Sequence, residues 1–171
     1  YNWPAEFAAM APGYRPDVVV AHFGANDNQT IISSGGRVAE GSEDWDKTYR
    51  DQIQRILDTA AQYQAMVYLI GPAPDRGSAL NRDLTRINPL FKAEAEEVQA
   101  IYFPLAPFTA GPNGEYVKVA PVNGKNTTIR SGDGSHFTGV GYYLVADKLL
   151  EDMEGRVPEV FNNTSLEIAG I

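Results

Sequence analysis

The chain is 171 residues long, 43% apolar and 21% charged, the balance of a folded globular protein rather than a disordered one. A formal charge of −8 with no Lys/Arg cluster argues against nucleic acid and anionic lipid as partners, both of which recruit basic surfaces. Cysteine is absent, which excludes disulfides, thiolate nucleophiles and Cys-type metal sites. No apolar run reaches the roughly 18 residues of a membrane span.

A chain of this length buries roughly 70% of its unfolded surface in a single core, so one domain is expected over residues 1–154, with a peripheral tail from 155 to 171. Asn-x-Ser/Thr tripeptides at Asn28, Asn126, Asn162 and Asn163 carry meaning only in a glycosylating secretory pathway. The first residue is Tyr1 rather than Met, and an upstream part, with a signal or anchor among its options, is expected to have preceded it.

The predicted elements begin with a helix from Trp3 to Met10, closed by Ala11-Pro12-Gly13. The run from Asp17 to Phe23 is apolar apart from His22 and predicts a strand buried on both faces, with His22 a core histidine. A polar loop follows over Gln29 to Ser42. Trp45, Tyr49, Ile53, Ile56, Leu57 and Ala60 then recur at steps of three and four and predict an amphipathic helix.

Met66 to Ile70 predicts a second buried strand, stopped by Gly71-Pro72. Asn88-Pro89 fits a helix N-cap and first position, opening a helix to about Gln99 with Phe91, Ala95 and Val98 inward. Ile101 to Phe103 is a short third strand. From Pro104 to Gly132 the chain is rich in Gly, Pro and Asn and predicts a long loop with a small hairpin over Tyr116 to Val122; long loops in compact domains are often functional. A last helix is expected over Tyr142 to Met153. The alternation of strands and helices indicates a parallel sheet with helices on both faces, with ligands expected beyond the carboxyl ends of its strands, where Gly24 to Asp27 falls.

Two short motifs can carry chemistry. In Gly24-Ala25-Asn26-Asp27, Asn26 follows a buried strand, a place from which an amide N–H can stabilise the oxyanion of a tetrahedral intermediate. The alternative is a turn asparagine that bonds its own backbone. In Asp133-Gly134-Ser135-His136 the carboxylate can accept from one imidazole nitrogen and fix the tautomer, leaving the other to face a hydroxyl nucleophile. The alternative is a helix cap with an exposed His136. Neither histidine spacing nor an acidic loop indicates a metal, and no cofactor is expected. Ser33, Ser34 and Ser135 lack the sharp strand-to-helix turn that presents an activated serine.

A strand ending in Gly24-Ala25-Asn26-Asp27, and more than 100 residues later Asp133-Gly134-Ser135-His136-Phe137-Thr138 before a final helix, resembles the SGNH or GDSL-type hydrolase superfamily, in particular a bacterial cell-envelope branch of largely uncharacterised proteins. Asn2-Trp3-Pro4, Asn28-Gln29, Trp45 and Tyr49, Leu69-Ile70-Gly71-Pro72 and Arg130-Ser131-Gly132 fit as flanks, so the resemblance covers about residues 1–150. It implies an α/β fold, a three-layer α/β/α sandwich with a flavodoxin-like parallel sheet.

The resemblance implies His136 as general base, Asp133 as its orienting partner, and Asn26 with Gly24 in the oxyanion hole. Asp27 and Trp45 are expected at the substrate crevice. The family's Gly-Asp-Ser nucleophile turn and its second glycine block have no match in this sequence. They are expected, with the N-terminal strands, in a segment upstream of Tyr1.

The implied function is a serine esterase acting on an O-acyl (acetyl) ester of a cell-envelope glycan or a small molecule, in the periplasm or another extracytoplasmic compartment. An O-acyltransferase built on the same residues and a non-catalytic glycan- or protein-binding module are the alternatives. A flavodoxin-like cofactor protein is disfavoured, since no phosphate-cradling glycine loop is present.

Overall fold

The structure, a computed structural model, describes residues 2–33 and 35–158. Tyr1, Ser34, the Ser33 side chain, the tripeptides at Asn162 and Asn163, and the tail beyond 158 lie outside the described residues. Two compact units are present, Tyr1–Val117 and Lys118–Ile171.

The first unit opens with α1 (Trp3–Tyr14), capped by the Asn2 side chain, which accepts from the Ala5 N–H at 3.2 Å. It runs through Pro12, where the expected helix had already ended, and stops where Arg15 turns left-handed at φ 46°. Strand β1 (Val18–His22) is followed by a small antiparallel ribbon of β2 (Ile31–Ser33) and β3 (Gly36–Val38), inside the stretch expected to be loop.

Helix α2 (Glu43–Ala61) starts at Ser42, whose hydroxyl accepts from the Trp45 N–H at 3.1 Å, with Glu43, Asp44 and Asp46 complementing the positive end of the helix dipole. Then come β4 (Met66–Gly71), α3 (Ser78–Glu97), β5 (Ile101–Pro104) and a single turn, α4 (Ala106–Thr109).

β1, β4 and β5 form a parallel sheet in the order β1-β4-β5, with Val18 opposite Met66 and Tyr68 opposite Ile101. The apolar stripe of α2 and that of α3 bury Trp45, Tyr49, Ile53, Leu57, Ala60, Ile87, Phe91 and Ala95 in one cluster with Ala21, Val67 and Leu69 of the sheet. Period-2 alternation sends the other side chains of β4, Tyr68 and Ile70, to the opposite face, where Tyr68 meets Phe103 edge-on.

Helix α3 begins ten residues before Asn88-Pro89 and carries Pro89 in its interior. An interior proline costs about 3 kcal/mol, but the turns before it add Leu84 and Ile87 to the stripe of Phe91 and Ala95, all buried. At roughly 1.5–3 kcal/mol for each large side chain, burying Leu84 and Ile87 meets or exceeds that cost. Asn88 does not cap the helix; its amide donates to the Pro72 carbonyl at 3.1 Å.

β1 is not buried on both faces. Val18 is 42% and Val20 47% exposed, and His22 is exposed as well, while Val19 and Ala21 face the cluster. Among the described residues β1 pairs only with β4, so its second edge is open. The His22 ring is nevertheless desolvated enough by its surroundings to lower its pKa.

The second unit contains the antiparallel pair β6 (Val119–Val122) and β7 (Lys125–Thr128) and the helix α5 (Gly139–Arg156). Asn123 and Gly124 connect the strands with φ of 50° and 74°, the two positive values that a two-residue hairpin turn of type I′ requires. The hairpin therefore lies later than the Tyr116–Val122 stretch that composition suggested. Thr138 caps α5, accepting from the Gly141 N–H at 3.1 Å, and its own hydroxyl donates to the Thr128 carbonyl at 2.9 Å.

Candidate active site

In the first unit the Gly24–Gln29 segment leaves the carboxyl end of β1. Gly24 is buried with φ +105°. A Cβ there would meet Ile87, Pro72 and Phe91 at ordinary contact distances of 3.4–3.5 Å, so the backbone angle rather than lack of space demands glycine. The Asp27 N–H donates to the Gly24 carbonyl at 3.1 Å, which places Ala25 and Asn26 at the centre of a β-turn.

Asn26 is exposed. Its carbonyl accepts from Gln29 Nε2 at 2.7 Å, while its side-chain amide takes part in no hydrogen bond among the described residues. The backbone-bonded turn asparagine is therefore not what this structure contains, and the amide is left able to donate to a ligand.

The flanking residues are tied to the helices. Tyr49 Oη donates to Asp27 Oδ2 at 2.7 Å, Trp45 Nε1 to the Gln29 carbonyl at 2.8 Å, and Asn28 Nδ2 to Asp83 Oδ2 at 3.1 Å. Trp45, expected at the crevice, is 2% exposed. Its indole N–H is turned to the loop, and Arg86 lies 5.8 Å from its ring centroid. Asp27 is half-buried with Tyr49 on its carboxylate.

In the second unit Asp133 and His136 share one tight turn. Its base is closed by the bridge between Arg130 and Phe137 and by the Ser131 N–H donating to the His136 carbonyl at 2.9 Å. Asp133 Oδ1 accepts from the Ser131 hydroxyl at 2.6 Å, the Ser135 N–H at 2.9 Å and the His136 N–H at 3.0 Å. Asp133 Oδ2 lies 2.8 Å from His136 Nδ1.

These donors, the Ser131 hydroxyl foremost, then the imidazole and the two backbone N–H groups, hold the Asp133 carboxyl well below the usual carboxylate range. An ionised carboxylate only accepts, so Nδ1 of the neutral ring carries the proton and Nε2 keeps its lone pair. Arg130, 2% exposed, lies over the Phe137 ring at 4.3 Å, and its Nη1 donates to the Ser135 carbonyl at 2.7 Å. A buried cation thus holds the turn from beneath.

Motif spacing singled out Asn26, Asp133 and His136, and the structure brings Asp133 and His136 into hydrogen-bond contact at 2.8 Å. It did not single out the supports. Ser131 lies two residues from Asp133, a spacing at which a hydroxyl reaches a turn carboxylate and so a legible signal. Tyr49 and Asp83 belong to helices distant in sequence and left no local signal. Ser135 is held in the turn through its backbone N–H and carbonyl. No group of three or more His, Asp or Glu able to hold a metal gathers among the described residues.

Residues 1–152 match a family described as "Protein of unknown function (DUF459)". No curated protein matches the sequence. Among solved structures, a GDSL-like lipase from Bacteroides thetaiotaomicron is similar at a TM-score of 0.64 and 16% identity, over 90% of this chain and 70% of that one. An acetyl xylan esterase, AlAXEase, is similar at 0.56 and 20% identity, over 87% and 75% of the two chains. The chain therefore belongs to the DUF459 family, and its fold is the α/β/α fold of the SGNH superfamily.

Proposed function

We propose that this protein is an SGNH-type serine esterase that removes an O-acyl, in the first instance acetyl, group from a glycan or a small ester in an extracytoplasmic compartment. The observation that carries the reading is the Asp133–His136 pair, a carboxylate fixed by hydroxyl and backbone donors and bonded at 2.8 Å to Nδ1 of an exposed imidazole. A salt-bridged surface histidine needs no such scaffold. The likeness to a lipase and an acetyl xylan esterase supports the chemistry, and the family match over residues 1–152 is in keeping with residues 1–154 as the C-terminal portion of a single SGNH-type domain.

In this mechanism a serine hydroxyl attacks the ester carbonyl carbon while His136 Nε2 takes its proton. The carbonyl oxygen becomes an oxyanion, held by the Asn26 amide on the turn that Gly24 shapes. Collapse breaks the acyl–oxygen bond, and the imidazolium returns its proton to the leaving alcohol. Water then attacks the acyl-enzyme by the same route, releasing the acid and restoring the serine. The nucleophile is assigned to a strand-turn segment upstream of Tyr1 that pairs with the open edge of β1. An apolar strand with Val18 and Val20 exposed is a surface that proteins ordinarily cover.

The test is acetate release from acetylated xylan and hydrolysis of p-nitrophenyl acetate by the protein with its upstream sequence. Loss of one oxyanion donor in Asn26→Ala is expected to lower kcat by about 10²–10³ with KM little changed. A protein that binds acetylated glycan but releases no acetate contradicts the esterase and favours a binding module. Acetyl recovered on a sugar hydroxyl instead of as acetate makes the acceptor a sugar.

A further inference from the structure

The Asn26 side-chain amide makes no hydrogen bond among the described residues and sits on an exposed turn, where free backbone rotation would dissipate any directed hydrogen bond. An oxyanion donor works only if its position is set before the charge develops. The polar contacts behind this turn are arranged to set it.

The Tyr49 ring is buried and stacked between Trp45, at 4.7 Å and 11°, and Phe91, at 6.1 Å and 7°. The core of the first unit therefore fixes where its hydroxyl lies. That hydroxyl donates to Asp27, the residue after Asn26, while Trp45 Nε1 from the preceding turn of the same helix donates to the Gln29 carbonyl. Burial, with the charge and hydrogen bond of Asp27, raises the Tyr49 pKa, so the group remains an O–H donor at any working pH.

The stack itself has no use for these polar atoms. Phenylalanine at position 49 would fill the same space without a hydroxyl to satisfy; a buried hydroxyl is a cost unless it is hydrogen-bonded, and the bond that satisfies this one reaches the loop residue next to Asn26. We infer that Tyr49 and Trp45 are positioning residues that brace the Asn26 turn through Asp27 and Gln29, and that neither touches substrate. Asp27 is then the anchor through which the turn is gripped. The inference rests on the esterase function proposed above.

The test uses Tyr49→Phe and, as an independent variant, Trp45→Phe, each removing one donor while keeping an aromatic ring. Amide hydrogen exchange at Asp27 and Gln29, whose N–H groups bond within the turn, is expected to accelerate at least about tenfold, while the interior amides of Ile53 and Leu57 keep their rates. In the protein with its upstream sequence, kcat is expected to fall roughly ten- to a hundredfold with KM within about twofold, because a displaced oxyanion donor is missed in the transition state and not in substrate binding.

Uniform acceleration of all amides would assign these residues to stability alone and overturn the inference. An active protein whose Tyr49→Phe variant keeps its kcat overturns the positioning role and leaves the esterase standing. Absence of turnover by the unmodified protein overturns the esterase, and the positioning role falls with it.

Discussion

Replacing Asp133 with asparagine keeps the shape of the turn and changes one atom's chemistry. The amide oxygen can retain the Ser131, Ser135 and His136 donors now on Oδ1, which puts an NH₂ where Oδ2 meets Nδ1 at 2.8 Å. Two donors then face each other. The ring resolves this by carrying its proton on Nε2, so the nitrogen that would deprotonate the nucleophile loses its lone pair. A wrong tautomer in a buried triad lowers kcat by about 10⁴. Here the two side chains are 52% and 69% exposed, and water can partly reorient the ring, so a fall of about 10³ is expected, inside the 10²–10⁴ range of general-base catalysis.

Hydrolysis of p-nitrophenyl acetate measures the rate. A long-range ¹⁵N–¹H spectrum of the imidazole reports the tautomer directly, with Nδ1–H expected in the unmodified protein and Nε2–H in the variant. An unchanged tautomer, or a kcat within about threefold, refutes the reasoning.

The Asp133 carboxyl offers a pH test, because its folded-state pKa is depressed, chiefly by the Ser131 hydroxyl and then by His136. Its support of the turn is complete above the ordinary carboxylate value of about 3.9 and is lost only as the pH falls through the depressed value. The Asp133 carboxyl ¹³C shift should therefore remain that of the anion down to about pH 4 and titrate below it, and Ser131→Ala should move the midpoint upward. In the core, Phe91 is fully buried against Tyr49 and Phe23, so Phe91→Ala should cost about 3–5 kcal/mol in denaturant unfolding; a loss below about 1 kcal/mol would contradict this packing.

The stripe from Trp45 to Ala60 was legible because its spacing and its burial are the same fact, and α2 buries each of those residues. The start of α3 was not, because Asn88-Pro89 is a strong local signal and the competing one, Leu84 and Ile87 in phase with Phe91, pays off only when the sheet is present to bury them. The β6–β7 turn was marked by Asn123-Gly124, a local signal outweighed by the glycine and proline content around it. For β1, composition cannot tell an apolar face that is covered from one that is open, and Val18 and Val20 are open. At the site, Asp133 and His136 lie close enough in sequence for their contact to follow from spacing. The Tyr49–Asp27 contact joins a helix to a loop 22 residues away and is created by the fold.

The central claim is that His136 activates a serine, and labelling with a fluorophosphonate probe, followed by peptide mapping, tests it most directly. In the protein with its upstream sequence, one serine preceding Tyr1 should be labelled, and His136→Ala should abolish the label. A protein that takes no label, or a His136→Ala variant that is labelled at the unmodified rate, would contradict the account.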